Sequence, residues 1–176
     1  MTSPELTLFY SPRSCALATM AALEEAGLTY AARPVPMSLD GAGDSEFRAL
    51  NARRQVPVLL ADSRVLRETG AILRFLHRLR PEAGLLPTQA EVADRAAEWI
   101  GYLGGTLHPA FRLIFRPQRW VGDDAKAQGD LRVETRNHLE WLLGGLDSEL
   151  TEPWVLGDRT AIDFYLFVFT RWARLA

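Results

Sequence analysis

Hydrophobic positions change their period along the chain, and the changes mark its elements. Leu6 to Tyr10 is a short apolar run broken by Ser11, Pro12 and Arg13, which predicts a buried strand running into a turn. From about Cys15 to Ala26 the pattern is helical, and Gly27 stops it. Ala16, Leu17, Met20, Ala21 and Leu23 wrap more than one stripe of that helix, so it is expected to be covered on most sides. Thr29 to Pro34 predicts a second strand and completes a strand-helix-strand unit. Pro34 to Gly43 reads as loop and Ser45 to Leu50 as a short helix. Val56 to Leu60 and Arg64 to Leu66, set about Asp62 and Ser63, have the form of a β-hairpin. Ile72, Phe75, Leu76 and Leu79 then repeat at helical spacing.

The remainder reads differently. Pro81 to Gln89 holds two prolines and a glycine around Leu85 and Leu86, the composition of a partly anchored linker. Beyond it three apolar stripes have helical spacing: Val92 to Leu107, Leu139 to Leu150, and Ile162 to Trp172. Each needs the others to bury its face. Thr160 and Asp163 have capping-box spacing and start the last helix. The predicted organisation is an α/β domain over residues 1–81, a linker over 82–90 and a helical domain over 91–176.

Composition narrows the function. A chain of 176 residues buries roughly 70% of its unfolded surface, enough for one domain or two small ones. Twenty Lys and Arg against 22 Asp and Glu leave a charge of -2, which does not suggest a nucleic-acid partner. No stretch approaches 18 uncharged apolar residues and no signal peptide opens the chain, so a cytoplasmic protein with no membrane partner is expected. A single cysteine, Cys15, excludes an internal disulfide, a CxxC pair and a cysteine-rich metal site.

That cysteine stands where a helix begins. Unpaired N-H groups and the macrodipole at a helix N-terminus favour thiolate over thiol, and cysteines at such ends titrate at roughly 3.5 to 7.5. Cys15 is therefore expected to be substantially ionised near neutral pH. The competing reading is a small buried hydrophobe in a packed turn. His77 and His138 lie on charged helix faces and read as surface residues.

With a strand-helix-strand unit, a thiol at the first helix start, Val56-Pro57 before a hairpin and a helical second half, the chain resembles a glutathione S-transferase. It is most similar to the bacterial beta class, through Tyr10, Cys15, Leu17 and Ala18 in FYSPRSCALA and through Gln55-Val56-Pro57. Leu107-His108 before Phe115-Arg116-Pro117, and Tyr165-Leu166-Phe167 before Arg171-Trp172-Ala173, resemble the same class.

The resemblance implies a thioredoxin-like first domain with a cis Val56-Pro57 bond, followed by an all-α domain. It implies glutathione as co-substrate, and joins it to small apolar electrophiles or exchanges mixed disulfides through Cys15. With no second protein thiol, the second sulfur comes from outside, and glutathione fits. Gln55, Val56 and Pro57 would hold its peptide backbone. Glu68 and Thr69, before a helix start, suit a γ-glutamyl ammonium and carboxylate. His108 would reach Cys15 as imidazolium or as hydrogen-bond donor. Ser14 and Tyr10 are rival contacts for the glutathione sulfur. A homodimer and a detoxifying role are also implied, and Leu107 to Phe115 suggest an apolar co-substrate.

The chain departs from the class in three respects. Gly101 replaces an asparagine, and no lysine lies between Pro34 and Leu50. It also ends at Ala176, where the class continues, which predicts that Phe164, Phe167, Phe169 and Trp172 lack part of their cover. Two other functions fit the sequence: a non-catalytic transferase-fold module binding ligands or proteins, and a zeta-like glutathione-dependent isomerase using Ser14.

Overall fold

The computed structural model describes residues 4–38, 41–43 and 45–176. Strand β1 (Leu6–Tyr10) buries Leu6, Leu8 and Phe9 and is central because both of its edges are taken. β2 (Ala31–Pro34) pairs with it in parallel and β5 (Val58–Ala61) antiparallel, with β6 (Arg64–Arg67) beyond, so the sheet order is β2-β1-β5-β6. Between them lie β3 (Met37–Ser38) and β4 (Gly41–Ala42), a two-stranded pair where the sequence predicts only loop, and the short helix α2 (Ser45–Leu50). Residues 39 and 40 of that predicted loop lie outside the described residues.

Helix α1 (Ala16–Glu25) is short, rich in small residues and covered on several sides, as its pattern predicts. It ends in a Schellman motif: the Gly27 N-H donates to the Glu24 carbonyl and Leu28 N-H to the Leu23 carbonyl. Gly27 takes φ +60°, which glycine adopts without steric cost. Helix α3 (Thr69–Leu79) buries Ile72, Leu73 and Leu76. His77 on it is half-buried, with an Nδ1 that has no hydrogen-bond partner among the described residues, so it is not the surface residue its charged neighbours suggest. His138 is exposed and stacks on Trp141.

After a 3₁₀ turn (Pro81–Ala83), buried Leu85 and Leu86 anchor the connection, and the Leu85 carbonyl accepts from the Ala161 N-H at 2.8 Å. The second half is helical: α4 (Ala90–Tyr102), α5 (His108–Phe115), α6 (Gln118–Val121), α7 (Ala125–Glu149) and α8 (Ala161–Ala173). The apolar stripe that starts at Val92 stops at Leu107, just ahead of Pro109, yet the chain stays helical through a π-helical stretch (Leu103–Leu107), in which the His108 N-H donates to the Leu103 carbonyl. A widened turn accommodates a proline that an α-helical turn would set against the carbonyl four residues back. α7 likewise begins well before its apolar stripe, because Asp124 caps it by accepting from the Ala127 N-H at 3.0 Å. At α8 the predicted capping box is present, with both Thr160 and Asp163 bonded.

One cluster of buried side chains runs from Leu8 and Leu59 of the sheet through α1 and α3 to Phe111, Phe169 and Trp172. α8 packs directly on α1. Phe169 and Trp172 are therefore covered, by one another and by Phe111 and His108, contrary to the exposure expected of them. Phe164 is half-buried beneath Arg159, and Phe167 alone of the four is exposed.

Candidate functional site

A cleft of about 850 Å³ lies between the loops at one end of the sheet and the wall formed by α4, α5 and α8. Four segments of the first half reach it: the turn before α1, Met37 of β3, the loop before β5, and the stretch from Arg67 at the end of β6 into the start of α3. Cys15, Ser14, Gln55, Val56, Pro57, Glu68, Thr69 and His108 all line it. Tyr10 does not: it is half-buried at the end of β1, and its carbonyl accepts from the Val35 N-H.

The turn before α1 is tied down from both halves. The Ser14 hydroxyl donates to the Ser11 carbonyl at 2.7 Å and accepts from the Ala16 N-H. The Trp172 indole donates to the Arg13 carbonyl at 2.9 Å, linking α8 to this turn. Cys15 stands at the N-cap position of α1 without a capping hydrogen bond, and its Sγ donates to the Val56 carbonyl at 3.5 Å. Its thiol is pushed up to about 11, first by burial and further by Glu68, while hydrogen bonding from Thr69 and its own backbone and the charge of Arg112 pull the other way. The expectation of an ionised Cys15 is thus overturned. A macrodipole supplies at most about 2 kcal/mol, and here the Leu17 and Ala18 N-H groups are already bonded to the Ser14 and Cys15 carbonyls. Desolvation of a thiolate wins.

His108 shows the same effect with the opposite sign. Burial, then the charge of Arg112, lowers it to about 4, so at neutral pH it is an uncharged imidazole. Its ring centroid lies 5.2 Å from that of Trp172 and 6.0 Å from that of Phe169. The imidazolium option is removed, and the neutral donor remains.

Val56-Pro57 is cis, as the resemblance implies. The loop before it is shaped by Asn51, a buried residue that the sequence reading did not single out. Its side-chain amide donates to the Gln55 carbonyl at 2.7 Å and its oxygen accepts from the Arg53 N-H. At the start of α3, Glu68 holds a left-handed φ of +68° and its exposed carboxylate pairs with Arg53 at 2.8 Å. Thr69 is buried behind it. Gly70 is required by close approach, since a Cβ there would lie 2.3 Å from the Ile100 Cγ2 of α4.

Two further cleft residues escaped the sequence reading. Tyr165, read as part of an apolar stripe, is buried with its hydroxyl near Gly104 and close to Thr69. Burial and the neighbouring Cys15 keep it protonated. Arg112, on α5, acts electrostatically on both Cys15 and His108. Neither carries a local sequence signal, because only the packing of α5 and α8 against the first half brings them here. Gly101 also lines the cleft, with open space around the position of a Cβ.

Residues 13–79 match the family model of the glutathione S-transferase N-terminal domain. The chain is similar to glutathione S-transferase GstA of Escherichia coli O157:H7, at 32% identity over 96% of this chain and 82% of that one. Among solved structures it resembles a glutathione transferase homologue from Sulfitobacter with bound glutathione (TM-score 0.87, 31% identity, 97% and 83% of the two chains). It also resembles the bacterial beta class glutathione S-transferase of Sphingomonas chungbukensis (TM-score 0.80, 31% identity, 94% and 81%).

Proposed function

The chain belongs to the glutathione S-transferase family, and on that premise we propose that it joins the thiol of glutathione to small electrophiles in this cleft. The observation that carries the reading is the convergence of Cys15, Val56, Glu68, Thr69 and His108, from four separate stretches of sequence, on one cavity. Glutathione brings one thiol, two carboxylates and an ammonium. The Glu68 carboxylate faces the ammonium, and the unpaired N-H groups at the start of α3 donate to the γ-glutamyl carboxylate. The Val56 and Gln55 backbone meets the cysteinyl residue. Arg54, beside Gln55, supplies a cation for the glycyl carboxylate in place of the lysine that this chain lacks.

Glutathione's sulfur then lies against Cys15, Ser14 and His108. A neutral His108 is too weak a base to take the thiol proton, so its part is to donate N-H to the thiolate, with Arg112 favouring the negative charge. Cys15 keeps its proton and contributes an S-H donor. With a thiol at about 11, about one molecule in ten thousand is thiolate at pH 7, which makes disulfide exchange through Cys15 slow. The electrophile's apolar body meets Phe115, Trp172 and Met37.

In this reading residues 1–81 form the glutathione-binding domain, 82–90 the linker and 91–176 the electrophile-binding domain. The protein acts as a homodimer in detoxification. The cytoplasm suits its single unpaired thiol; no helix among the described residues is long and apolar enough to cross a membrane.

The test is glutathione affinity by calorimetry together with conjugation of a chlorodinitrobenzene. Wild type is expected to bind and conjugate, and Glu68→Gln to bind about tenfold more weakly through loss of a charged hydrogen bond. No binding and no conjugation would leave only a non-catalytic role. Activity kept in Cys15→Ala but lost in Ser14→Ala would move the chemistry to the serine, as in an isomerase of the zeta kind.

A further inference from the structure

We propose that the electrophile this cleft takes is an acid: a molecule with an apolar, electrophilic body and a carboxylate held by Arg112 and Arg116. This rests on the glutathione-conjugating reading and specifies the co-substrate within it. The chain as a whole carries a charge of -2, yet among the described residues seven arginines and one acid, Glu68, line the cleft. Four of the arginines, at 13, 54, 67 and 74, come from the first half, where the two carboxylates of glutathione are accommodated. The other three, Arg112, Arg116 and Arg119, come from the opposite wall.

These three gather about the junction of α5 and α6 and all line the cleft, with the Arg116 N-H bonded to the Arg112 carbonyl and the Arg119 N-H to the Arg116 carbonyl. Like charges gathered in this way are unfavourable. Arg116 is lowered by burial and then by Arg119 and Arg112. Arg116 donates one N-H to the Ser38 carbonyl, but a guanidinium has five, and among the described residues no carboxylate pairs with Arg116 or Arg112. In that reading glutathione's carboxylates are held by the first half, which leaves the guanidinium donors of Arg112 and Arg116 to a second anion, and the arginine fork matches a carboxylate bidentately.

Two features fix the remainder of that molecule. Phe115, next to Arg116, and Met37, next to the Ser38 whose carbonyl Arg116 contacts, also line the cleft and are 40% and 45% exposed, so the ligand also has an apolar surface. Arg112 acts on the Cys15 sulfur, so a carboxylate bound there leaves its electrophilic carbon near the glutathione thiol. In the reaction glutathione's thiolate forms an S-C bond to a ring carbon bearing chlorine. The C-Cl bond breaks, chloride leaves with the bonding pair, and the thiol proton passes to solvent.

The experiment compares 4-chloro-3-nitrobenzoate with 4-chloro-3-nitrobenzamide, each rate divided by its uncatalysed rate with glutathione. Wild type is expected to favour the benzoate by about tenfold or more in kcat/KM, and Arg116→Gln to lower that ratio about tenfold through the loss of a charged hydrogen bond. Arg116→Glu is expected to invert it, and added salt to shrink it in wild type. Circular dichroism establishes that each variant is folded. A benzamide that is conjugated as well as the benzoate, or a ratio that neither variant changes, overturns the proposal while leaving glutathione conjugation intact. Conjugation of neither, with no calorimetric binding of glutathione, overturns both readings.

Discussion

Two cleft residues carry protonation states set by burial. His108 binds a proton at 6.5 in the unfolded chain and at about 4 in the folded one. As pH falls through that interval the unfolded state takes up the proton first, so stability is full above 6.5 and declines toward 4, by up to about 3 kcal/mol. Urea unfolding at pH 7 and pH 4.5 should show this loss in wild type, and His108→Gln should lack that share of it. Cys15 has the opposite dependence. Its folded value of about 11 exceeds the unfolded 9.0, so its contribution is full below 9 and is lost as pH rises toward 11. Iodoacetamide should therefore alkylate Cys15 at pH 8 at least about tenfold more slowly than it alkylates glutathione. Alkylation of the native protein at the glutathione rate would mean an accessible, ordinary thiol. That Cys15 and His108 line one cleft was legible from the motifs around them; their charge was not, since it depends on Arg112, Thr69, Phe169 and Trp172, which are distant in sequence from Cys15.

Among the elements, α3 and α4 meet where a side chain is missing. Gly70 lets the start of α3, with its free N-H groups, approach α4 across Ile100. Gly70→Ala introduces a Cβ at 2.3 Å from the Ile100 Cγ2, a clash that outweighs the roughly 1 kcal/mol gained in helix propensity. The variant should lose about 1–2 kcal/mol and bind glutathione more weakly. Ile100→Ala removes the obstacle, so the double variant should show at least about 1 kcal/mol of favourable coupling in a double-mutant cycle followed by urea unfolding. Additive costs would mean that the clash is relieved elsewhere. Nothing in the local pattern of either helix announces this contact, because a glycine at a helix start is equally a tolerated turn residue.

At the scale of the whole molecule the two halves share one core. α8 packs on α1, Trp172 bonds to the Arg13 carbonyl, Arg159 pairs with Glu25, and buried residues run continuously from sheet to bundle. All five tryptophans lie beyond residue 82 and the one cysteine lies at 15, so the halves have separate probes. Urea unfolding followed by tryptophan fluorescence and by accessibility of Cys15 should give the same midpoint, as a single cooperative unit requires. Separate midpoints would show that the α1-α8 contact is too weak to couple them.

The sequence by itself determined the four strands of the main sheet with α1 and α3, the Gly27 stop and the Thr160–Asp163 cap, and its motifs grouped Cys15, Val56, Glu68 and His108, which line one cleft. These follow from near-neighbour effects: periodicity, turn chemistry and short motifs. Tertiary structure alone decided that Pro109 continues a helix across a π-helical stretch and that Tyr10 stays outside the cleft. It also kept the thiol and imidazole uncharged, covered Phe169 and Trp172, and gathered arginines scattered from position 13 to 119 into one cavity. Desolvation and charge are summed over neighbours in space, and those neighbours come from segments whose sequence separation carries no trace of the contact.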